Sequence, residues 1–250
     1  MKHALAFVTA AYSSYSSCRQ YRENIASAQA EVGEGAPQVD KLRVFYNHPG
    51  FVEATADRVR EAMDQFSPNK LPDMRLVYTA HSIPTSMSET SGYERQLRET
   101  GRLVAERLGV ENWDLVFQSR SGPPTQPWLE PDVLDFMKSL SAEGVRNVVI
   151  APIGFVSDHM EVLYDLDTEG ADLARELGIK MIRAGTVGTH PAFIKMVQNL
   201  IVERFLPNEP RLAIGRFGAN HDVCPATCCP PPQRAGKPPV LAGQGASPRP

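Results

Sequence analysis

The chain has 250 residues, of which 42% are hydrophobic and 22% charged, and its formal net charge is -3. This composition is typical of a soluble globular protein, and the small negative charge gives no reason to expect a nucleic acid or an anionic membrane as partner. No apolar run reaches the length of a membrane span, and the opening segment MKHALAFVTAAYSSYSS is too short and polar for a signal peptide. We therefore expect a cytoplasmic protein.

Predicted strands and helices alternate along the chain. Apolar runs predict strands at 4–11, 42–46, 74–80, 113–119, 146–153 and 179–184. Amphipathic stretches predict helices at 18–32, 50–66, 93–109, 131–144, 158–177 and 190–206. This order predicts an α/β fold with a doubly wound parallel sheet and helices on both faces.

The composition changes after Phe205. Residues 207–250 are rich in proline, glycine and alanine and have few large apolar side chains. We expect an α/β region over 1–206 and a tail over 207–250 that is irregular or disordered. The exception is the cysteine-bearing segment DVCPATCCPPP.

The segment GFVSDHMEVLYDLDTEG, residues 154–170, is rich in acidic residues and contains neither lysine nor arginine. Glu161, Asp165 and Glu169 are four residues apart, so in a helix they share one face and repel each other. Such a run is usually a solvated helix face. This one follows a predicted strand, where open α/β sheets bind ligands. The alternative is therefore a path for a cation or for protons, with a widened helical turn among the acids.

Two further groups of residues are candidates for chemistry. His81 in VYTAHSIPTSM ends a predicted strand; it is either a structural histidine or a group that binds divalent iron or accepts protons. Cys18, Cys224, Cys228 and Cys229 are the four cysteines. In a cytosolic chain, clustered cysteines indicate a metal or cluster site more than disulfides.

Three segments in order, TAHSIP, QSRSGPPTQPWLEP and PIGFVSDHMEVLYDLD, resemble the signature segments of ferrochelatases, which insert ferrous iron into a porphyrin in haem synthesis. The resemblance runs from about residue 4 to about residue 206. The segment TAAYSSYSSCRQYRENI is most similar to the actinobacterial branch, whose product is iron coproporphyrin. The resemblance thus implies coproporphyrin III as substrate, with protoporphyrin IX as the alternative.

The resemblance also implies roles for individual residues. His81 and Glu161 face each other across the macrocycle, one binding iron and the other accepting protons, and Asp165 and Glu169 continue the metal site. Tyr46 corresponds to a tyrosine near the porphyrin. The cysteines match those that hold a 2Fe–2S cluster in some members, although zinc also accepts four thiolates.

The family has an N-terminal lobe before the segment that opens this chain, and that lobe supplies one wall of the porphyrin cleft. The resemblance is therefore to the later part of a ferrochelatase. It leaves two alternatives to an active enzyme. One is an inactive fragment that at most binds haem or a cluster, and the other is a chelatase for another tetrapyrrole.

Overall fold

The computed structural model describes residues 1–123, 125–206 and 208–231. In this part of the chain the strands are all parallel and form two sheets. The smaller sheet pairs β1 (His3–Ala6) with β2 (Gln38–Lys41). The larger sheet has the order β4-β3-β5-β6 and consists of β3 (Met74–His81), β4 (Trp113–Gln118), β5 (Asn147–Ala151) and β6 (Lys180–Arg183).

The helices connect these strands. They are α1 (Gln20–Val32), α2 (Pro49–Met63), α3 (Thr85–Glu89), α4 (Tyr93–Leu108), α5 (Val133–Ala142), α6 (Met160–Val162), α7 (Ala171–Glu176) and α8 (Pro191–Phe205). A short π-helix, Tyr15–Arg19, leads into α1, and a second, Leu163–Gly170, joins α6 to α7. A 3₁₀ helix, Pro68–Asp73, precedes β3. Within the described residues, none of the helices combines the length and the apolar character that a membrane span needs.

Alternate residues of the central strands pack on opposite faces of the larger sheet. Leu76 and Tyr78 of β3 lie in a core cluster that also contains residues of α2, α4 and α8, whereas Val77 lies in a second cluster with residues of α5 and α7. A strand that is buried on both faces has to be apolar throughout, which explains the continuous run LVYTA in β3. The predicted doubly wound parallel sheet with helices on both faces is confirmed.

One predicted strand is wrong. Residues 42–46 do not pair in a sheet, and the strand lies four residues earlier, at Gln38–Lys41. Leu42, Val44 and Phe45 are instead buried in the core. Burial therefore explains the apolar run without sheet pairing, because periodicity cannot separate a strand from a buried extended segment.

The loop after β5 packs directly on β3 next to the strand end. The Gly154 backbone N–H donates to the Thr79 carbonyl at 3.0 Å. A Cβ at Gly154 would lie 2.6 Å from both Cα and Cβ of Ala80. We therefore expect Gly154→Ala to lower the free energy of unfolding by about 1–3 kcal/mol, measured by urea titration. Gly218→Ala, whose Cβ would meet open space, is the control, and an equal loss in both variants would contradict this packing argument.

Candidate functional site

His81 lies at the carboxyl end of β3, where it is in register with Gln118 of β4. Its Nδ1 is 2.6 Å from the Ser82 carbonyl oxygen, which can only accept a hydrogen bond. Nδ1 therefore carries the proton, and in the neutral ring Nε2 presents its lone pair. The Tyr93 hydroxyl donates to the His81 carbonyl at 2.9 Å and fixes the backbone of this strand end. The histidine is thus oriented with a free acceptor nitrogen.

Glu161, on the short helix α6, faces this nitrogen. Its Oε2 is 3.8 Å from Nε2 of His81, and the two side chains are 50% and 32% exposed, respectively. Two ligands of one divalent cation, each bonded at about 2.1 Å, are separated by about 3.0–3.5 Å. The pair is therefore close to the spacing at which both groups can contact one cation or one ring nitrogen between them. The roles given to His81 and Glu161 stay predictions.

The acidic row continues into the π-helix Leu163–Gly170, which confirms the predicted widened turn. Asp165 is anchored to the edge of the sheet, because Oδ2 accepts a hydrogen bond from Gln118 Nε2 at 3.1 Å and a short one from Ser119 Oγ. Gln118 Nε2 also lies 3.2 Å from the Glu161 carbonyl oxygen. Glu169 is exposed. Participation of Asp165 and Glu169 in metal binding stays a prediction.

Gln118 and Ser119 were not among the predicted site residues. They hold the turn that carries Glu161 against the carboxyl end of β4. The Gln118 carbonyl also accepts a hydrogen bond at 2.8 Å from the N–H of Ser82, the residue after His81. Ser119 has a φ of 59°, a left-handed conformation that costs a non-glycine residue about 1–2 kcal/mol. Their position in the sequence could have indicated them, because both lie at the end of a predicted strand, where open α/β sheets bind ligands.

Two other acids of this segment, Asp158 and Asp167, pair with an arginine from another element. Arg183, at the end of β6, has its Nε 2.5 Å from Asp167 Oδ1 and its Nη1 3.1 Å from Asp158 Oδ1. These two acids therefore serve as structural partners of an arginine. Glu161 and Asp165 are the acids left on the side of His81 and Gln118.

Tyr46 lies elsewhere. Its side chain is only 4% exposed and belongs to the core, and burial raises the pKa of its hydroxyl. The nearby charged groups are those of Arg95, Glu99 and Arg43. Contact of Tyr46 with substrate stays a prediction, and its burial gives that prediction no support.

The structure brings the four cysteines together, and all four are free thiols. Cys228 Sγ is 3.6 Å from Cys229 Sγ, and Cys224 is hydrogen-bonded to both Cys18 and Cys228. Two thiolates bonded at about 2.3 Å to one tetrahedral metal lie about 3.8 Å apart. The four thiols therefore have the chemistry that a thiolate-bound metal needs, and Cys228 and Cys229 also have the spacing. The hydrogen bond to Cys224 and burial raise the pKa of Cys18, whereas the hydrogen bond from Cys228 lowers the pKa of Cys229.

Two arginines dock the cysteine-bearing loop onto the start of α1. Arg19 is 4% exposed, and its Nη1 donates to the carbonyls of Ala226 at 2.9 Å and Cys228 at 3.3 Å. Arg22 Nη1 donates to the Cys224 carbonyl at 3.4 Å. The hydrogen bonds from these two arginines thus position the loop beside Cys18.

The described part of the tail, residues 208–231, has no helix or strand, as expected, but it is docked along its length. Asn47 Nδ2 donates to the Phe217 carbonyl at 2.7 Å, and the backbone carbonyl of Asn47 accepts from the Ile214 N–H at 2.9 Å. Glu99 Oε1 accepts from the Arg216 N–H at 2.7 Å. The prediction of disorder further on, over 232–250, lies outside the described residues.

Comparison with known proteins assigns the chain to a family. Residues 1–205 match the ferrochelatase family. A ferrochelatase from Rhodopirellula baltica is 53% identical over 244 residues, which are 97% of this chain and 69% of that protein. A coproporphyrin III ferrochelatase from Streptomyces griseus is 46% identical over 252 residues, covering 92% of this chain and 67% of the relative. The chain thus spans about two thirds of the length of these relatives.

Among solved structures, SirB from Bacillus subtilis with Fe3+ is similar in fold, with a TM-score of 0.58 at 14% sequence identity. That likeness covers 82% of this chain and 73% of SirB. The family match extends over most of the chain and includes His81, Glu161 and the acidic helix, and the chain therefore belongs to the ferrochelatase family of metal chelatases.

Proposed function

We propose that His81 and Glu161 form the site at which ferrous iron enters a porphyrin, with coproporphyrin III as the preferred macrocycle. The observation that carries the proposal is the pair itself: Nε2 of His81 lies 3.8 Å from Oε2 of Glu161 at the carboxyl end of a central parallel strand. Both side chains are partly exposed, so a ligand can reach them.

Metallation exchanges both pyrrole N–H protons of the porphyrin for one ferrous ion, so the site must accept protons and deliver a cation. Nε2 of His81 is a suitable proton acceptor, because the hydrogen bond from Nδ1 to Ser82 leaves its lone pair free. Glu161 supplies carboxylate oxygens, which bind a hydrated divalent cation and can also take a proton. Asp165 lies one turn further along the acidic row. It accepts a proton that leaves the His81–Glu161 pair, or binds an arriving ion before that pair does.

The surface beside Glu161 suits a flat apolar ligand. Met160, Leu163 and Tyr164 flank Glu161 in the sequence and are 73%, 38% and 52% exposed. Large apolar side chains this exposed next to a cluster of acids indicate a binding surface more than a solvated one. The macrocycle of a porphyrin offers the matching apolar face.

The choice of coproporphyrin III rests on relatives. The Streptomyces griseus protein, 46% identical, is a coproporphyrin III ferrochelatase, and a second protein with that name, from Streptomyces coelicolor, is 45% identical. Coproporphyrin III carries more propionate groups than protoporphyrin IX, so the two compounds can be compared directly as substrates.

We further propose that Cys18, Cys224, Cys228 and Cys229 hold a 2Fe–2S cluster. Four thiolates are the usual ligands of such a cluster, which would add an electron-accepting inorganic centre beside the start of α1. Thiolates stay available for metal only in a reducing compartment, which supports a cytoplasmic location.

The experiment measures anaerobic iron insertion by the chain, followed by porphyrin absorbance, with coproporphyrin III and protoporphyrin IX. We expect the wild-type chain to metallate coproporphyrin III faster, and Glu161→Gln to lower that rate by about 10²-fold or more, because the amide neither accepts protons nor carries charge. Glu111→Gln, an exposed glutamate outside the site, is the matched control. Insertion no faster than without protein would overturn the proposal and favour a non-catalytic fragment.

A further inference from the structure

His221 lies near the cysteines and was not among the predicted site residues. It is exposed, and its Nε2 lies 3.9 Å from Cys228 Sγ. The ligand atoms of His221, Cys224 and Cys228 all lie within 4.8 Å of one another. Among the described residues, these three side chains form the group whose ligand atoms all lie this close together. Cys18 and Cys229 are not members of that group.

From this geometry we infer that the tail carries a second ligand set, His221, Cys224 and Cys228, which binds a single Zn²⁺ ion. The inference does not depend on iron insertion. It shares Cys224 and Cys228 with the proposed cluster, so the two metal loads exclude each other.

The distance between His221 and Cys228 fits tetrahedral zinc closely. With Zn–S bonds of about 2.3 Å and Zn–N bonds of about 2.0–2.1 Å, a histidine nitrogen and a thiolate on one ion lie about 3.6 Å apart. The 3.9 Å between His221 and Cys228 therefore has to close by only a few tenths of an ångström. Three ligands leave a fourth tetrahedral position for water or another thiolate, which is an arrangement that zinc accepts.

The backbone of the loop favours this set. The Cys228 N–H donates to the Pro225 carbonyl at 3.0 Å, which closes a turn between Cys224 and Cys228. Arg22 and Arg19 bind the carbonyls of the same two cysteines. Protein contacts thus hold the backbone of both cysteine ligands, and the exposed histidine leaves the site open to solvent.

The identity of the ion follows from the ligands. Two thiolates and one imidazole make a soft, mixed N/S site, and at such sites Zn²⁺ binds more tightly than Fe²⁺. A free ferrous ion delivered for insertion would therefore not displace zinc here. The acidic row beside His81 offers oxygen ligands and therefore prefers hard cations.

The test uses the full chain freed of metal by anaerobic chelation. Co²⁺ serves as the spectroscopic probe, and Zn²⁺ then displaces it, so that zinc affinity is read from the loss of the thiolate–cobalt absorption. We expect His221→Ala to weaken zinc binding at least about tenfold and to keep the iron and sulfide of a reconstituted cluster. Cys18→Ser should do the reverse: it should keep zinc affinity and lose the cluster. His3→Ala, an exposed histidine on β1, is the control.

Wild-type zinc affinity in His221→Ala would overturn the inference, and so would joint loss of zinc and cluster in Cys18→Ser. Failure of the wild-type chain to assemble a cluster leaves the zinc titration fully informative. The two proposals therefore fail separately.

Discussion

His81→Ala should lower the rate of iron insertion by about 10²- to 10⁴-fold while the fold stays intact. The side chain is 32% exposed and lies at a strand end, so its removal opens no cavity in the core. What is lost is the free Nε2 that faces Glu161, and with it a proton acceptor or an iron ligand. The strand end itself stays fixed, because Tyr93 and Gln118 hold it through backbone atoms. Anaerobic insertion kinetics give the rate, and circular dichroism and thermal unfolding report the fold.

Two comparisons make this result specific. His159→Ala removes an exposed histidine beside the acidic row, whose ring contacts Phe155, and we expect nearly wild-type turnover. Imidazole added to His81→Ala should restore part of the rate if the ring acts by accepting protons or binding iron. Near-normal turnover in His81→Ala would remove the histidine from the mechanism.

Cys18→Ser should abolish the cluster, with iron and acid-labile sulfide both falling to a small fraction of the wild-type content. Cys18 is buried and is the ligand that comes from outside the tail, so the other three thiolates cannot complete the set of four. Wild-type chain purified anaerobically should be reddish brown and hold iron and sulfide in equal amounts. A colourless wild-type chain with intact tail would contradict the cluster assignment.

The same variant tests what holds the tail. If metal ligation supplied the folding free energy of this segment, loss of the cluster would loosen all of it. The structure leads us to expect otherwise for residues 208–231. Asn47, Glu99 and Arg19 bind the tail backbone directly, and Arg43, paired with the buried Glu203, donates to the Leu212 carbonyl at 2.9 Å. Amide exchange across 208–231 in Cys18→Ser should therefore stay close to that of the wild-type chain loaded with the cluster.

Local patterns were sufficient for the main elements and for the centre of the candidate site. The run RLVYTAH predicts a buried strand that ends at His81, and the ends of parallel strands are where such folds bind ligands. The spacing of Glu161, Asp165 and Glu169 predicts a helix whose acids conflict, and the π-helix is the form that this segment takes. Both inferences need only neighbouring residues, because periodicity and charge repulsion act within a few positions along the chain.

The α/β class, the approximate positions of the central strands, the acidic helix and the number of thiols can thus be predicted from the amino-acid sequence. Which distant groups meet depends on tertiary packing. It placed β2 at 38–41 instead of 42–46, brought Arg183 to Asp158 and Asp167, and joined His221 to the cysteine centre. These contacts join segments far apart in the chain, so they depend on how strands and helices pack, and no local propensity carries that information.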